Sequence, residues 1–306
     1  MPTRVRIRDP ISIISAFNFG DFRWLIHGFS TRVGGGSRIY GGSALNLGFT
    51  KDDSRAAVER NRSLFLAAIA AAKPDGAKTP HKSSHRLRPA LGNLVTLKQI
   101  HSDIIHRVDR VSESTLVGDG LITDAPGLVL GIQTADCLPI IIVDPKRRAA
   151  GVFHAGWRGT VKRIVEKGVG EMQRWFGSHP RDLKAAIGPG IHRCCYTVGE
   201  EVRENFESQF AYAAKLFREA KESNPVREKY PLLFLSARPP GHSELPKKIF
   251  LDLVEANRRQ LMAAGLAAKN IEASPLCTSC HTDLLFSYRA EKGKTGRMLA
   301  VAGICD

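Results

Sequence analysis

Three residues that commonly bind metal ions each lie beside a predicted β-strand. Cys137 comes just before the apolar run 138–143, and His154 comes just after the apolar run 149–153. His101 follows a third β-like segment. Two imidazoles and one thiolate are a donor set that suits Zn²⁺, and three protein ligands leave a fourth position open for water or substrate. These residue types therefore predict an open metal site, which would polarise an oxygen atom of a substrate.

The same three residues also permit two other interpretations. A cysteine beside a strand often packs only as a small hydrophobic side chain, and the histidines would then be structural. Cys137 could instead act as a nucleophile that His101 or His154 activates as a base. A measurement of the metal content of the protein distinguishes the metal-site interpretation from the nucleophilic pair.

Arg158 is a candidate anion contact because it follows His154 at the predicted N-terminus of a helix. Backbone N–H groups and a guanidinium at such a position suit phosphate or another anion. The plain alternative is an ordinary surface ion pair. Glycine-rich segments at 34–36 and 41–48 permit tight turns and a close approach of the backbone to a ligand.

The elements that must position these residues are short strands mixed with longer helices. Apolar runs, alternation and turn residues predict strands at 24–31, 94–99, 104–108, 121–123, 128–133, 138–143, 149–153, 183–187 and 297–304. Helical periodicity and capping residues predict helices from 52 to about 73, at 158–176, 200–206 and 209–223, and within 249–264. Strands and helices do not alternate regularly, which favours a single α+β domain over residues 1–306. Residues 73–92 are predicted to form a mobile basic loop.

The composition is that of an ordinary globular protein, with 43% hydrophobic and 25% charged residues. Its apolar runs are too short to predict a transmembrane helix, and the first residues lack the apolar core of a signal peptide. We therefore expect a cytoplasmic protein with no membrane association. Its six cysteines are then expected to be thiols or metal ligands.

The net charge of +15 is high for 306 residues. It would permit nucleic-acid binding, but it suits small anionic ligands such as phosphate equally well. The basic residues are scattered and accompany no recognisable nucleic-acid-binding module. A solvated basic surface is favoured, and a basic nucleic-acid-binding protein is kept as an alternative.

A second group of cysteines lies near the C-terminus. Cys277-x-x-Cys280-His281 matches the attachment pattern of c-type haem, but no export signal accompanies it. It also resembles half of a zinc ribbon, but Cys194 and Cys195 are adjacent and form no second pair of that spacing. We interpret these cysteines as structural thiols.

Taken together, the motifs resemble a known family, the laccase-domain or polyphenol oxidase proteins, also called the YfiH-like family. The matching segments run in the family's order from about residue 29 to the C-terminus. They are Ser30-Thr31-Arg32-x-Gly34-Gly35, Leu45-Asn46-Leu47-Gly48, Glu59-x-Asn61-Arg62, Gln99-x-His101, Gly118-Asp119-Gly120, Thr134-Ala135-Asp136-Cys137-x-Pro139, His154-Ala155-Gly156-Trp157-Arg158-Gly159-Thr160, Ile187-Gly188-Pro189, Cys195-Tyr196-x-Val198-Gly199 and Phe286-Ser287-Tyr288-Arg289.

The resemblance implies an α/β (α+β) fold of the YfiH-like, cysteine-hydrolase type, in which helices cover mixed sheets. It implies that His101, Cys137 and His154 bind Zn²⁺, with Cu²⁺ as an alternative metal. The implied activity is phosphorolysis of adenosine, inosine or guanosine to the base and ribose 1-phosphate, with adenosine deamination and methylthioadenosine phosphorolysis as further activities. Purine nucleoside and phosphate are then the expected partners of a monomer or homodimer.

A mechanistic hypothesis assigns roles at the expected site. We expect the three metal ligands and Arg158 to be catalytic. We expect Arg32, Asn46, Gln99 and Asp136 to contact the substrate.

The resemblance leaves a copper-dependent polyphenol oxidase as the main alternative. Multicopper oxidases build a trinuclear cluster from repeated His-x-His pairs, and this chain has ten histidines but no such pair. A blue-copper site also needs a cysteine with further ligands, usually including a weak axial methionine. The nucleoside reaction is therefore preferred.

Overall fold

A computed structural model describes residues 4–8, 11–20, 22–71, 91–112, 114–221 and 247–305. Residues 73–90 of the basic loop predicted at 73–92 lie outside these ranges. The internal contacts divide the chain into two compact units. Unit 1 comprises Met1–His192 and Leu253–Asp306, and unit 2 comprises Arg193–Asp252. That residues 1–306 act as a single catalytic domain stays a prediction.

The described part of unit 1 contains two six-stranded mixed sheets. The first has the spatial order β1 (Arg4–Arg8), β2 (Ile11–Ser15), β3 (Leu25–Ser30), β18 (Met298–Ile304), β10 (Val129–Thr134) and β5 (Leu94–Val95). The second has the order β17 (Ile271–Ala273), β13 (Lys184–Ile187), β11 (Leu138–Asp144), β12 (Ala149–Ala155), β9 (Gly120–Thr123) and β7 (Ile105–Arg107). The pairs β5–β10, β7–β9 and β13–β17 are parallel, and the other pairs are antiparallel.

Smaller elements complete the described chain. The α-helices are α1 (Arg55–Ala70), α2 (Trp157–Val161), α3 (Ile164–Phe176), α4 (Glu200–Gln209) and α5 (Leu253–Ala263). Unit 1 also has the strands β4 (Val33–Ser37), β6 (Leu97–Lys98) and β8 (Leu116–Val117), and unit 2 has a three-stranded sheet of β14 (Thr197–Val198), β16 (Lys247–Leu251) and β15 (Phe217–Lys221). Short 3₁₀ helices cover Phe17–Phe19, Leu91–Asn93, Pro180–Asp182, Ala213–Leu216 and Ala268–Asn270. Among the described residues, no helix combines the length and apolar character that crossing a membrane requires.

The two large sheets of unit 1 pack face to face around an apolar core. All residues of β11 and β12 are buried, which explains why apolar residues follow one another in both strands rather than alternating with polar ones. Their inner side chains meet those of β10 and β18. Helix α1 covers the outer face of the first sheet through Phe65 and Ile69, and α3 covers the second sheet where Gly168 lies on Phe153. The predicted α+β class, with helices covering mixed sheets, is confirmed.

The structure divides the helix predicted at 158–176 into α2 and α3. Arg163 separates them with a φ of 64°, in the left-handed region that an α-helix cannot continue through. Its guanidinium is held by Glu166, with a nitrogen–oxygen distance of 2.9 Å. The apolar periodicity continues across this break, so the sequence pattern does not reveal it.

The helix predicted at 209–223 is wrong. Its described part contains the 3₁₀ helix Ala213–Leu216 and then β15, which pairs with β16. Phe217 at the start of β15 lies edge-on to Phe206 of α4, with ring centroids 5.9 Å apart. The partner strand and this aromatic contact override the helical propensity of the segment. The helix predicted within residues 249–264 is confirmed as α5, which follows β16.

Replacing Gly168 by alanine should destabilise unit 1, because a Cβ there would lie 2.5 Å from the Phe153 ring. Overpacking a core costs about 1–3 kcal/mol, and we expect a loss of this size in the free energy of unfolding measured with urea. The control is Gly170→Ala in the same helix, where a Cβ meets no atom within 4 Å. It should raise the free energy of unfolding by up to about 1 kcal/mol, because alanine favours helix. Equal effects of the two substitutions would contradict this packing.

Candidate metal centre

The structure brings His101, Cys137 and His154 together. The Cys137 sulfur lies 3.8 Å from His101 Nε2, and the two imidazole ring centroids are 4.8 Å apart. One ligand atom from each of the three residues lies within 4.8 Å of the others, as binding of a single metal ion requires. His154 is buried, Cys137 is partly buried and His101 is exposed. The cluster is therefore anchored in the core and open to solvent on the His101 side.

Neighbouring strands explain why Cys137 and His154 meet. β11 and β12 are antiparallel partners, and Pro139 lies opposite His154. Cys137 immediately precedes β11, so both side chains lie at the same end of this strand pair. A Cβ on Gly156 would lie 2.9 Å from the Cys137 sulfur and 3.1 Å from His101 Cδ2. Glycine at position 156 therefore leaves the space that the cluster occupies.

Asp119 orients His154 from the side opposite the cluster. Its carboxylate oxygen Oδ1 lies 2.7 Å from His154 Nδ1, and both side chains are buried. Because an ionised carboxylate only accepts hydrogen bonds, the neutral ring carries its proton on Nδ1 and has the Nε2 lone pair free for a metal. The backbone of His154 also donates to the Asp119 carbonyl at 2.8 Å.

Asp119 also shapes the loop that presents His101. Its carboxylate accepts the backbone N–H groups of Ile100 at 3.2 Å, His101 at 3.0 Å and Ser102 at 2.6 Å, and the Ser102 hydroxyl at 2.7 Å. His101 has a φ of 58°, which is uncommon for a residue with a side chain. The backbone hydrogen bonds hold this left-handed turn and so direct the imidazole toward Cys137.

A second buried carboxylate fixes the residue before Cys137. Asp136 has a φ of 88°. Its side chain accepts hydrogen bonds from the Thr278 hydroxyl at 2.6 Å, the Ser287 hydroxyl at 2.7 Å and the Arg289 backbone at 2.6 Å. Strained backbone of this kind is retained where surrounding bonds hold it, often at functional sites.

The electrostatics of the cluster favour a thiolate. Burial raises the pKa of Cys137. The charge of His154 and hydrogen bonds with both histidines outweigh this effect and lower the pKa to below the usual range of a thiol. Burial lowers the pKa of His154, and the Cys137 charge and the Asp119 hydrogen bond outweigh that effect and raise it. For Asp119, burial raises the pKa, and the hydrogen bonds with His154 and Ser102 reverse this and lower it. A thiolate is the form of cysteine that binds metal.

Arg158 lies on the exposed side of α2. Its guanidinium stacks on Trp157, with 4.3 Å from Cζ to the ring centroid. Within the described residues it makes neither an ion pair nor a side-chain hydrogen bond. Since α2 is a single short turn, the predicted contact with an anion depends on the guanidinium rather than on the helix terminus, and it stays a prediction.

The two substrate contacts expected in the glycine-rich segments are engaged within unit 1. Arg32 donates to the carbonyls of Thr282 at 2.6 Å and Tyr40 at 2.9 Å, and it pairs with Glu291 at 3.0 Å. Asn46 is fully buried, and its amide donates to Asp53 at 2.8 Å. These contacts stabilise the loops, and roles of Arg32 and Asn46 in substrate binding stay predictions.

Gln99 extends the β-ladder beside the cluster. Its side-chain amide donates to the Gln133 carbonyl at 2.8 Å and accepts the Gln133 backbone N–H at 2.7 Å. It therefore anchors the segment that leads to His101. Substrate contacts by Gln99 and by Asp136 stay predictions.

Sequence reasoning missed the role of Asp119. Gly118-Asp119-Gly120 indicated only a turn and a segment shared with the family. The available signal was a carboxylate between two glycines immediately before a strand. It could not show that this carboxylate faces a histidine 35 residues away.

Comparison with known proteins agrees with the geometry. Residues 26–305 match the model of a family described as multi-copper polyphenol oxidoreductase laccase. The chain belongs to this family. It is 33% identical over 291 residues to purine nucleoside phosphorylase YlmD of Geobacillus stearothermophilus, covering 92% of this chain and 91% of that protein. It is 35% identical over 216 residues to adenosine deaminase RL5 of an unknown prokaryote, covering 68% of this chain and 73% of that protein.

Among solved structures, the chain resembles YfiH of Bacillus licheniformis. The TM-score is 0.75 at 32% sequence identity, and the match covers 98% of each chain. This likeness confirms the predicted family and its α+β fold.

Replacing Asp119 by asparagine should weaken metal binding. Asparagine cannot accept all of the bonds that hold His154 and the His101 loop, and loss of such an outer partner typically lowers metal affinity about 10–100-fold. The measurement is zinc affinity by competition with a chromophoric chelator. The control is Asp124→Asn, which removes an exposed carboxylate paired with Arg107 at 3.5 Å. Unchanged zinc affinity in a folded Asp119→Asn variant would contradict the positioning role.

Proposed function

We propose that this chain is a zinc-dependent purine nucleoside phosphorylase. Adenosine, inosine and guanosine are the proposed substrates, with adenosine deamination and methylthioadenosine phosphorolysis as further activities. The observation that carries the proposal is the open cluster of His101, Cys137 and His154. It occurs in a chain that is 33% identical, over 92% of its length, to a protein named purine nucleoside phosphorylase.

The donor set fits a zinc ion. The cluster offers one sulfur, whose thiolate form its surroundings favour, and two imidazoles, all within 4.8 Å of one another. Zn²⁺ commonly binds this mixture of nitrogen and sulfur ligands, and three protein ligands are typical of a catalytic rather than a structural site. A zinc ion held there supplies Lewis acidity toward an oxygen atom of the reactants.

The residues of the chain supply positioning and charge. The Asp119 carboxylate keeps the proton of His154 on Nδ1 and fixes the ring, and Gly156 preserves the space beside Cys137. Groups held this rigidly need no rearrangement during a reaction. The proposed catalytic role of His101, Cys137 and His154 is therefore to form a preorganised, partly buried site with one open side.

Arg158 is the proposed phosphate contact. Its guanidinium is exposed, has no carboxylate partner in the described chain, and is oriented by stacking on Trp157. Guanidinium groups bind phosphate through paired, charge-assisted hydrogen bonds. In the proposed reaction a phosphate oxygen bonds to C1′ of the ribose, the glycosidic C–N bond breaks, and its electron pair leaves with the purine, which takes up a proton.

The first test is incubation of the purified protein with adenosine and phosphate. We expect adenine and ribose 1-phosphate in equal amounts, with inosine if deamination also occurs, measured by liquid chromatography. Omitting phosphate should abolish adenine formation. Cys137→Ser should lose bound zinc and activity together. A thermal unfolding transition should show that the variant is still folded. Nucleoside cleavage by a metal-free Cys137→Ser variant would overturn the proposal.

Replacing Arg158 by glutamine should raise the KM for phosphate about tenfold or more, because one charge-assisted interaction contributes about 1.5–3 kcal/mol. The KM for adenosine should change much less. Steady-state kinetics with each substrate varied in turn provide the measurement. Arg55→Gln is the matched control, since Arg55 is also exposed and lies over an aromatic ring, that of Phe49 at 5.1 Å. An unchanged KM for phosphate in Arg158→Gln would remove Arg158 from the proposed site.

Copper-dependent phenol oxidation is the second candidate, because the description of the matched family names a polyphenol oxidoreductase. Cu²⁺ binds strongly to many nitrogen and sulfur ligands, including those that bind zinc. Oxygen consumption with a phenol, measured on zinc- and copper-loaded protein, tests this candidate. Rapid consumption by the copper form together with no nucleoside turnover by either form would favour the oxidase.

A further inference from the structure

A groove runs between the edge strand β7 and helix α3 of unit 1. Its volume is about 870 Å³, and the three candidate metal ligands are not among its lining residues. Pockets for small organic ligands are commonly about 300–1,000 Å³. The groove is therefore large enough for a ligand of its own, separate from the metal centre.

Trp175 joins the two walls of this groove. Its ring contacts two guanidinium groups, with 5.0 Å from the ring centroid to Cζ of Arg107 on β7 and 5.2 Å to Cζ of Arg174 on α3. The indole N–H donates to Glu171 at 2.8 Å, which fixes the orientation of the ring. Cation–π attraction thus holds both guanidinium groups in place before a ligand arrives.

Both guanidinium groups are only loosely paired with carboxylates. Arg107 lies 3.5 Å from Asp124, and Arg174 lies 3.8 Å from Glu171. Good charge-assisted hydrogen bonds between nitrogen and oxygen are about 2.7–2.9 Å long. The N–H groups of Arg107 and Arg174 therefore remain available to a doubly charged anion such as a phosphate group.

Gly170 opens the α3 side of the groove. It is exposed in the middle of the helix, and a Cβ there would meet no atom within 4 Å. Packing explains glycine at position 168, which lies on Phe153, but it does not explain glycine at position 170. Glycine within a helix is unfavourable relative to alanine. The absent side chain leaves room for a ligand beside Trp175.

Asp109 adds an acceptor at the groove. Its side chain is exposed, and within the residues that the structure describes it has no ion-pair partner. A carboxylate accepts hydrogen bonds from both hydroxyls of a sugar diol. The groove thus combines donors for a phosphate, an aromatic edge and open backbone for a sugar ring, and an acceptor for sugar hydroxyls.

We propose that this groove binds a phosphorylated ribosyl compound, with its phosphate on Arg107 and Arg174 and its hydroxyls toward Asp109. The sugar ring lies over Gly170, beside Trp175. Free ribose phosphates and nucleotides share this chemistry. The site does not depend on the proposed phosphorylase activity.

The test is calorimetric titration of the full chain at about 0.15 M salt, where nonspecific attraction to the basic surface is screened. The probes are ribose 5-phosphate, AMP, ribose and inorganic phosphate. Ribose 5-phosphate and AMP should bind, and ribose and inorganic phosphate alone should bind much more weakly. Equal binding of ribose 5-phosphate and AMP identifies the sugar phosphate as the recognised part, and tighter binding of AMP places the base in the groove as well.

Variants locate the binding. Arg107→Gln and Arg174→Gln should each weaken it about tenfold, and Gly170→Leu should abolish it by filling the groove. Arg55→Gln and Cys137→Ser should leave it unchanged, which separates the groove from general charge and from the metal centre. The ligand should also quench tryptophan fluorescence, and Trp175→Phe should remove that signal. No binding of either ribosyl phosphate, equal binding of inorganic phosphate alone, or binding unaffected by the three groove substitutions would overturn the proposal.

Discussion

The hydrogen-bonded, buried carboxylate of Asp119 is the interaction on which the candidate metal centre depends. A charged group in the core is costly unless its oxygen atoms are fully hydrogen-bonded. Here that requirement is met by three backbone N–H groups, the Ser102 hydroxyl and the His154 ring. The same bonds tie the start of β9 to β12 and to the loop that bears His101. Satisfying one buried charge therefore also sets the positions of two candidate metal ligands.

Local strain surrounds this centre and is compensated by its neighbours. His101 and Asp136 both have positive φ values; the backbone N–H of His101 donates to the Asp119 carboxylate, and the Asp136 carboxylate accepts from Thr278, Ser287 and Arg289. Gly156 supplies the space between Cys137 and His101 that no larger residue could leave. Residues at functional sites can keep an unfavourable backbone conformation when surrounding hydrogen bonds and packing hold it in place. The rest of unit 1, with its apolar strands β11 and β12, follows ordinary patterning.

Proteins that resemble this chain carry names that refer to different activities. They include a phosphorylase and a deaminase, and the description of the family names an oxidoreductase. A metal ion with two imidazoles and a thiolate does not by itself select among such reactions, so the groups around it must. In this chain the exposed guanidinium of Arg158, stacked on Trp157, is the proposed phosphate contact. The groove at Trp175 repeats the pairing of arginine with tryptophan elsewhere in unit 1, without metal ligands.

The sequence by itself determined the apolar strands β11 and β12, most other strands, the family and the identity of the three metal-ligand candidates. These depend on runs of residues and on short motifs, which are local properties. Only the tertiary structure decided that Asp119 faces His154, that Arg163 breaks a helix, and that residues 217–221 form a strand. The tertiary structure also showed that Arg32 and Asn46 are engaged in holding loops. The Asp119–His154 contact, the pairing of β15 with β16 and the Arg32–Thr282 hydrogen bond depend on partners distant in the sequence. Local periodicity carries no information about such partners.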